Sequence, residues 1–159
     1  MGDMPMERDK LMTDLHNLVS VVGDRVATLQ GVAELLRSTG SYRWVGLYDV
    51  DHSGGMVTNI VWSGPGAPEY QIFPITKGLT GAAVSTRKTV NIGDVAADPR
   101  YLTAFGTTRS EIIIPVFDGR GENVVGTIDV ESEKLNAFTE DVQGLLEDCS
   151  SVVRPLWRR

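Results

Sequence analysis

Residues 108–132 read TRSEIIIPVFDGRGENVVGTIDVES, and this stretch decides the architecture. Two β-rich runs, Ser110 to Phe117 and Asn123 to Glu131, flank the turn Asp118-Gly119-Arg120-Gly121, which is a hairpin pattern. Side chains two apart on a strand share a face. Ile112, Ile114 and Val116 therefore lie on one side of the first run, with Glu111, Ile113 and Pro115 on the other. In the second run Ile128 and Val130 oppose Thr127, Asp129 and Glu131. Each strand thus has a plain aliphatic face and a mixed face that carries carboxylates.

Working outward, Tyr42 to Val50 reads as a further strand with the same division: Val45 and Leu47 on one face, Trp44, Gly46 and Tyr48 on the other. The turn cluster Asp51-His52-Ser53-Gly54-Gly55 joins it to a partner strand, Met56 to Trp62. Ser63 to Pro68 is a loop, because Gly and Pro at that density deny both helix and sheet. Short strands follow at Tyr70 to Ile75 and Thr89 to Ile92, with a small-residue helix, Gly78 to Thr86, between them. Gly93 to Thr108 is a long connection with a helical turn expected around Pro99 to Ala104. Connections of that length usually cover a binding site.

Helices bracket these strands. Leu11, Leu15, Leu18, Val19 and Val22, then Val26, Leu29, Val32, Ala33 and Leu36, recur at helical spacing through residues 6–38, with a break at Gly23-Asp24. A last helix starts at Glu140 behind the N-cap Thr139 and carries the stripe Val142, Leu145, Leu146, Cys149, Val152, Val153 and Leu156. The order is α+β with a mainly antiparallel sheet. Without any linker-like tract, residues 1–159 read as one domain: the helical segment 6–38 and a core spanning 42–157.

Composition narrows the function classes. The 159 residues carry 15 basic and 21 acidic groups, a formal charge of −6, which disfavours a nucleic-acid or anionic-membrane partner. One cysteine, Cys149, and two histidines exclude an intramolecular disulfide and a Cys- or His-rich metal centre. No cofactor and no metal are expected. Neither a membrane span nor a signal peptide is legible, so the expected location is cytoplasmic. Dinucleotide and P-loop motifs are absent.

The mixed faces have two readings. A half-solvated sheet would leave Asp129 and Glu131 as solubility residues. A cavity under the 63–108 loops would instead suit a ligand with an apolar body and a cationic or hydrogen-bond-donating end, with Gly46 and Gly126 leaving room. Thr80 opens the small helix, where it is either an N-terminal cap or part of an anion-accepting N-terminus. Arg109 is expected to pair with Asp94 or Asp98. His16 and His52 are expected to be solvated.

WVGLY (44–48), KGLTGAA (77–83), TRSEIIIP (108–115) and VGTIDVES (125–132) resemble a GAF domain, and within that superfamily the free methionine-(R)-sulfoxide reductases. The resemblance implies a PAS-related, six-stranded antiparallel sheet, terminal helices on one face and a loop-covered pocket on the other. It implies ligand-binding roles for Trp44, Tyr48, Glu111, Asp129 and Glu131, the last one methylene longer than the usual aspartate. It also exposes a departure. The three reductase cysteine positions fall on Tyr70, Thr80 and Ala104, none of which is a thiol. A bilin attachment cysteine is missing too, and Asn136, Phe138, Glu140 and Asp141 more simply start a helix than bind a cyclic nucleotide. The expectation is therefore a small-molecule-binding or sensor module without thiol chemistry and without a catalytic residue. The ligand is amino-acid-like or cationic, and the terminal helices pair in a homodimer. An atypical reductase and a dimerising scaffold with a vestigial pocket are the alternatives.

Overall fold

The computed structural model describes residues 4–101 and 106–157, with side chains described from Glu7 onward. α1 (Met4–Ser20) and α2 (Arg25–Ser38) are separated at Gly23-Asp24. Asp24 starts α2 as its N-cap, its carboxylate accepting from the Ala27 amide at 3.2 Å. β1 (Trp44–Asp51) and β2 (Met56–Ser63) form the first hairpin, and β3 (Ile72–Pro74) pairs with the outer edge of β2. α3 (Gly78–Thr86) leads into β4 (Val90–Ile92). β5 (Ser110–Phe117) and β6 (Val124–Ser132) form the second hairpin, followed by α4 (Glu140–Val153) and a 3-10 turn, Arg154–Trp157. The six strands are antiparallel in the order β3-β2-β1-β6-β5-β4.

The aliphatic sides of the strands meet the long helices. Val45, Leu47, Ile112, Ile114, Ile128 and Val130 pack with Leu15, Leu29, Leu36, Leu146 and Val153 in one buried cluster. Burying each such side chain contributes about 1.5–3 kcal/mol, so this face is the main source of stability. Arg25 fastens its rim: Nε donates to the Leu156 carbonyl at 2.6 Å and Nη2 pairs with Asp49 at 2.9 Å.

Several expectations need correction. Val22 is fully exposed and Val26 half exposed, because the break at Gly23-Asp24 turns both out of the stripe. The room at Gly126 belongs to the helix side, where a Cβ would collide with the Trp157 indole; that indole donates to the Tyr48 carbonyl at 3.0 Å. The helical turn in the long connection lies at Val95–Ala97, capped by Asp94. The expected turn at Pro99 to Ala104 runs into residues 102–105, which lie outside the described residues. His52 is exposed but anchored, its Nε2 lying 2.8 Å from the Val124 carbonyl oxygen. No helix among the described residues is long and apolar enough to cross a membrane.

Candidate functional site

The other face of the sheet carries the chemistry. β5 and β6 run in a register that sets Glu111 directly opposite Glu131 and Ile113 opposite Asp129, while Gly46 of β1 faces Asp129 from the other side. Strand alternation therefore gathers three carboxylates on one patch. They are 5%, 6% and 1% exposed for Glu111, Asp129 and Glu131, which decides against the half-solvated sheet. One carboxylate oxygen of each lies within 4.8 Å of the others.

A cavity of about 40 Å³ stands over this patch, lined by Tyr48, Pro68, Tyr70, Phe73, Gly78, Thr80 and Ile113 as well as the three acids. That volume holds about three waters, or the polar head of a small molecule. The start of α3 lines the same cavity through Gly78, Leu79 and Thr80. Its N-cap is Lys77, whose side chain makes no capping bond, and its first backbone bond runs from the Gly81 amide to the Lys77 carbonyl at 2.9 Å. The amides of Gly78, Leu79 and Thr80 precede that bond, so no earlier carbonyl of the helix serves them. Thr80 sits inside the first turn and is not the cap. The cavity lining thus combines three buried acids with the positive end of a helix.

Burial and crowding push all three acids toward the protonated form. Glu111 is raised well above the ordinary carboxyl range, by desolvation first and then by the charges of Asp129 and Glu131. Desolvation lifts Glu131 to about 8, opposed by the Thr108 hydroxyl, which donates to its Oε1 at 2.6 Å. Asp129 is lifted to about 6 by desolvation, opposed by a hydrogen bond with Glu111. Asp129 Oδ1 is buried and receives no bond from an N–H or hydroxyl donor among the described residues. The proton available to it is the one on Glu111. Tyr48 is raised as well, chiefly by burial.

A family profile described as GAF domain matches residues 24–154. The chain belongs to the GAF domain family. It is 28% identical over 139 residues to GAF domain-containing protein A of Dictyostelium discoideum, covering 87% of this chain and 85% of that one. It is 26% identical over 137 residues to the free methionine-R-sulfoxide reductase of Escherichia coli, 85% of this chain and 79% of the relative. The free methionine-R-sulfoxide reductase of Neisseria meningitidis, solved in complex with its substrate, superposes with a TM-score of 0.85 at 28% identity, over 94% of this chain and 87% of that one.

Within this GAF domain, five of the six residues singled out from sequence, Tyr48, Thr80, Glu111, Asp129 and Glu131, line the same cavity. Trp44 stands behind Tyr48, with ring centroids 6.5 Å apart, fills the space over Gly46, and donates from Nε1 to the Gly66 carbonyl at 2.9 Å. It pins the 63–71 loop and does not line the cavity. Two of the positions matched to reductase cysteines, Tyr70 and Thr80, also reach the cavity, while Ala104 lies outside the described residues. Cys149 is on the far side of the sheet in α4, fully buried, its thiol pushed up to about 12 by desolvation. Arg109 is exposed and makes no ion pair among the described residues. Asp98 pairs with Arg100 at 2.7 Å instead, and Asp94 caps the 3-10 turn.

Sequence reasoning missed Phe73, Gly78, Leu79 and Ile113 as lining residues, and Thr108 as the partner of Glu131. Ile113 was readable from its place between Glu111 and Pro115 on the mixed face. Thr108 and Phe73 carried no signal, since their positions depend on where a loop and an edge strand close over the sheet.

Proposed function

We propose that this GAF domain binds a small amino-acid-like molecule, without thiol chemistry. The ligand's ammonium group sits among Glu111, Asp129 and Glu131, and its carboxylate faces the first-turn amides of α3. The observation that carries this reading is the polarity of the cavity lining, which holds both the buried acids and the unserved first-turn amides of α3. A zwitterion matches both ends at once. The cavity volume admits a head group. The open space between Tyr48, Glu111 and Asp129 counts against a vestigial pocket filled by side chains.

The Neisseria relative's description as a methionine sulfoxide reductase with bound substrate supports an amino acid in this position. The chemistry argues against carrying over its activity. Thiol attack needs a thiolate beside the sulfoxide, and Cys149 is neither ionised nor on the cavity side. Thermal-shift measurements with methionine, both methionine sulfoxides and the other amino acids test the reading. Saturation at about 100 times Kd adds about 2.7 kcal/mol, visible as a shift of several degrees. No shift with any zwitterionic or cationic compound overturns it. A parallel assay for reduction of free methionine (R)-sulfoxide by dithiols checks the reductase alternative, with no turnover expected.

The reading includes self-association through the helices, supported by exposed Val21, Val22 and Val26 around the α1–α2 break. Light scattering on Val22→Asp against the native chain tests it, with a dimer expected only for the latter.

A further inference from the structure

We infer that the cavity loads its ligand by proton exchange: the empty site holds a proton between Glu111 and Glu131, and an ammonium group entering beside Asp129 expels it. The cation's identity rests on the amino-acid-like reading above, whereas the proton rests on the sheet register.

Glu111 and Glu131 are direct cross-strand partners, both buried. Two ionised carboxylates cannot occupy such a pair without strong repulsion. Among the described residues the cavity lining contains no Lys, Arg or His to pair with them. The titratable side chains that line the cavity with the pair are Asp129 from β6, Tyr48 from β1 and Tyr70, and none of these residue types carries a positive charge. α3 contributes only amides and a hydroxyl. Arg43, just before β1, acts on Glu131 from outside the cavity while paired with Glu133 at 3.0 Å. Asp129 Oδ1, buried in the same patch, receives no bond from an N–H or hydroxyl donor among the described residues and is open to a ligand's donor.

The exchange balances. The carboxyl O–H bond breaks, its proton passes to water, and the ammonium N–H groups donate to the freed carboxylate and to Asp129. One positive charge enters and one leaves. Glu131, raised to about 8, is the member whose protonation lies nearest neutrality. A cation in hydrogen-bond contact pulls it below that range, because the opposite charge favours the ionised form. Releasing one proton per ligand strengthens binding about tenfold per pH unit over the range in which the empty pair is protonated and the loaded pair is not.

The test uses the full chain in three measurements. In the empty protein with 13C-labelled carboxyls, Glu131 is expected to titrate near pH 8 and Glu111 well above the ordinary carboxyl range, assigned by Glu131→Gln. Methylammonium, a bare cation, is expected to lower the Glu131 midpoint. Calorimetry with L-methionine near pH 7, in two buffers of different ionisation enthalpy, is expected to show release of about one proton, lost in Glu131→Gln. Titration of both residues below pH 5 in the empty protein overturns the inference. So does binding of L-methionine with no release or with uptake. If L-methionine does not bind at all, the amino-acid reading fails, and the inference is decided by the carboxyl titration and its response to methylammonium.

Discussion

The two faces of the central strands differ by a single residue of register and by everything in their chemistry. Ile112, Ile114, Ile128 and Val130 enter an unbroken aliphatic cluster under the helices, whereas their neighbours Glu111, Asp129 and Glu131 are buried acids over a cavity. Burying an acid costs free energy that burying an isoleucine returns. The helix side therefore carries the stability that lets the other side hold an electrostatically unfavourable constellation. A fold that needed only to be stable would have no use for three carboxyls there.

Truncation on each face gives the sharpest contrast. Ile112→Ala is expected to cost about 4 kcal/mol, a lost transfer term plus a cavity in a close-packed cluster. Ile113→Ala, one residue along and equally buried, borders an existing cavity and is expected to cost about half as much. Urea unfolding of both variants measures the difference. An equal cost at both sites would break the comparison.

The acid face should also tilt the pH dependence. Glu131 and Asp129 are raised in the folded protein from 4.5 to about 8 and from 3.8 to about 6. Their contribution is fully present below about pH 4 and is lost as pH rises toward 8. Asp118 behaves oppositely. The amides of Glu122 and Arg120 and the Asn123 side chain hold it down at about 2, so its contribution is present above about pH 4 and lost as pH falls through 2. Stability is expected to peak near pH 4–5 and to decline on the alkaline side. In Glu131→Gln the alkaline decline should be shallower. An unchanged slope in that variant would place the titration elsewhere.

This contrast between faces was legible before any coordinates, and the reason is physical. Period-two alternation is a property of the chain itself, so Val45 and Leu47 separate from Trp44 and Tyr48 by counting. The hairpin turn at Asp118 to Gly121 and the Thr139 cap are equally local; the cap accepts from the Val142 amide at 3.4 Å. What could not be read depends on closure between distant segments. Gly126 looked like room in the pocket because nothing local says that Trp157 returns to fill it on the other face. Arg109 looked like a partner for Asp98, but Arg100 is two residues from that carboxylate and reaches it first. The family resemblance implies a ligand-binding role for Trp44, which shares a strand face with Tyr48. Its indole turns to the loop, through a bond whose acceptor is 22 residues away.

That loop bond defines a smaller effect. Trp44→Phe keeps most of the apolar bulk over Gly46 and removes only the Nε1 donor to Gly66. The expected cost is about 1 kcal/mol, with amide exchange accelerated in residues 63–71 and unchanged in α2 and α4. Faster exchange spread over the helices would mean that the tryptophan supports the whole sheet and not the covering of one face.

The smallest effect concerns the thiol, and the prediction is an effect of nothing on binding. Cys149 sits on the stable face, with no exposed surface and its thiol pushed up to about 12. Nucleophilic attack needs the thiolate, so an aromatic disulfide reagent should label the native chain only as fast as the chain unfolds. Cys149→Ala should lower stability modestly, by about 1 kcal/mol for the lost packing, and leave the affinity for any cavity ligand as it was. A thiol that labels rapidly in the native state, or an affinity that changes in Cys149→Ala, would mean that the sheet transmits between its faces. The separation between a side that holds the fold and a side that holds the ligand would then fail at the one residue best placed to expose it.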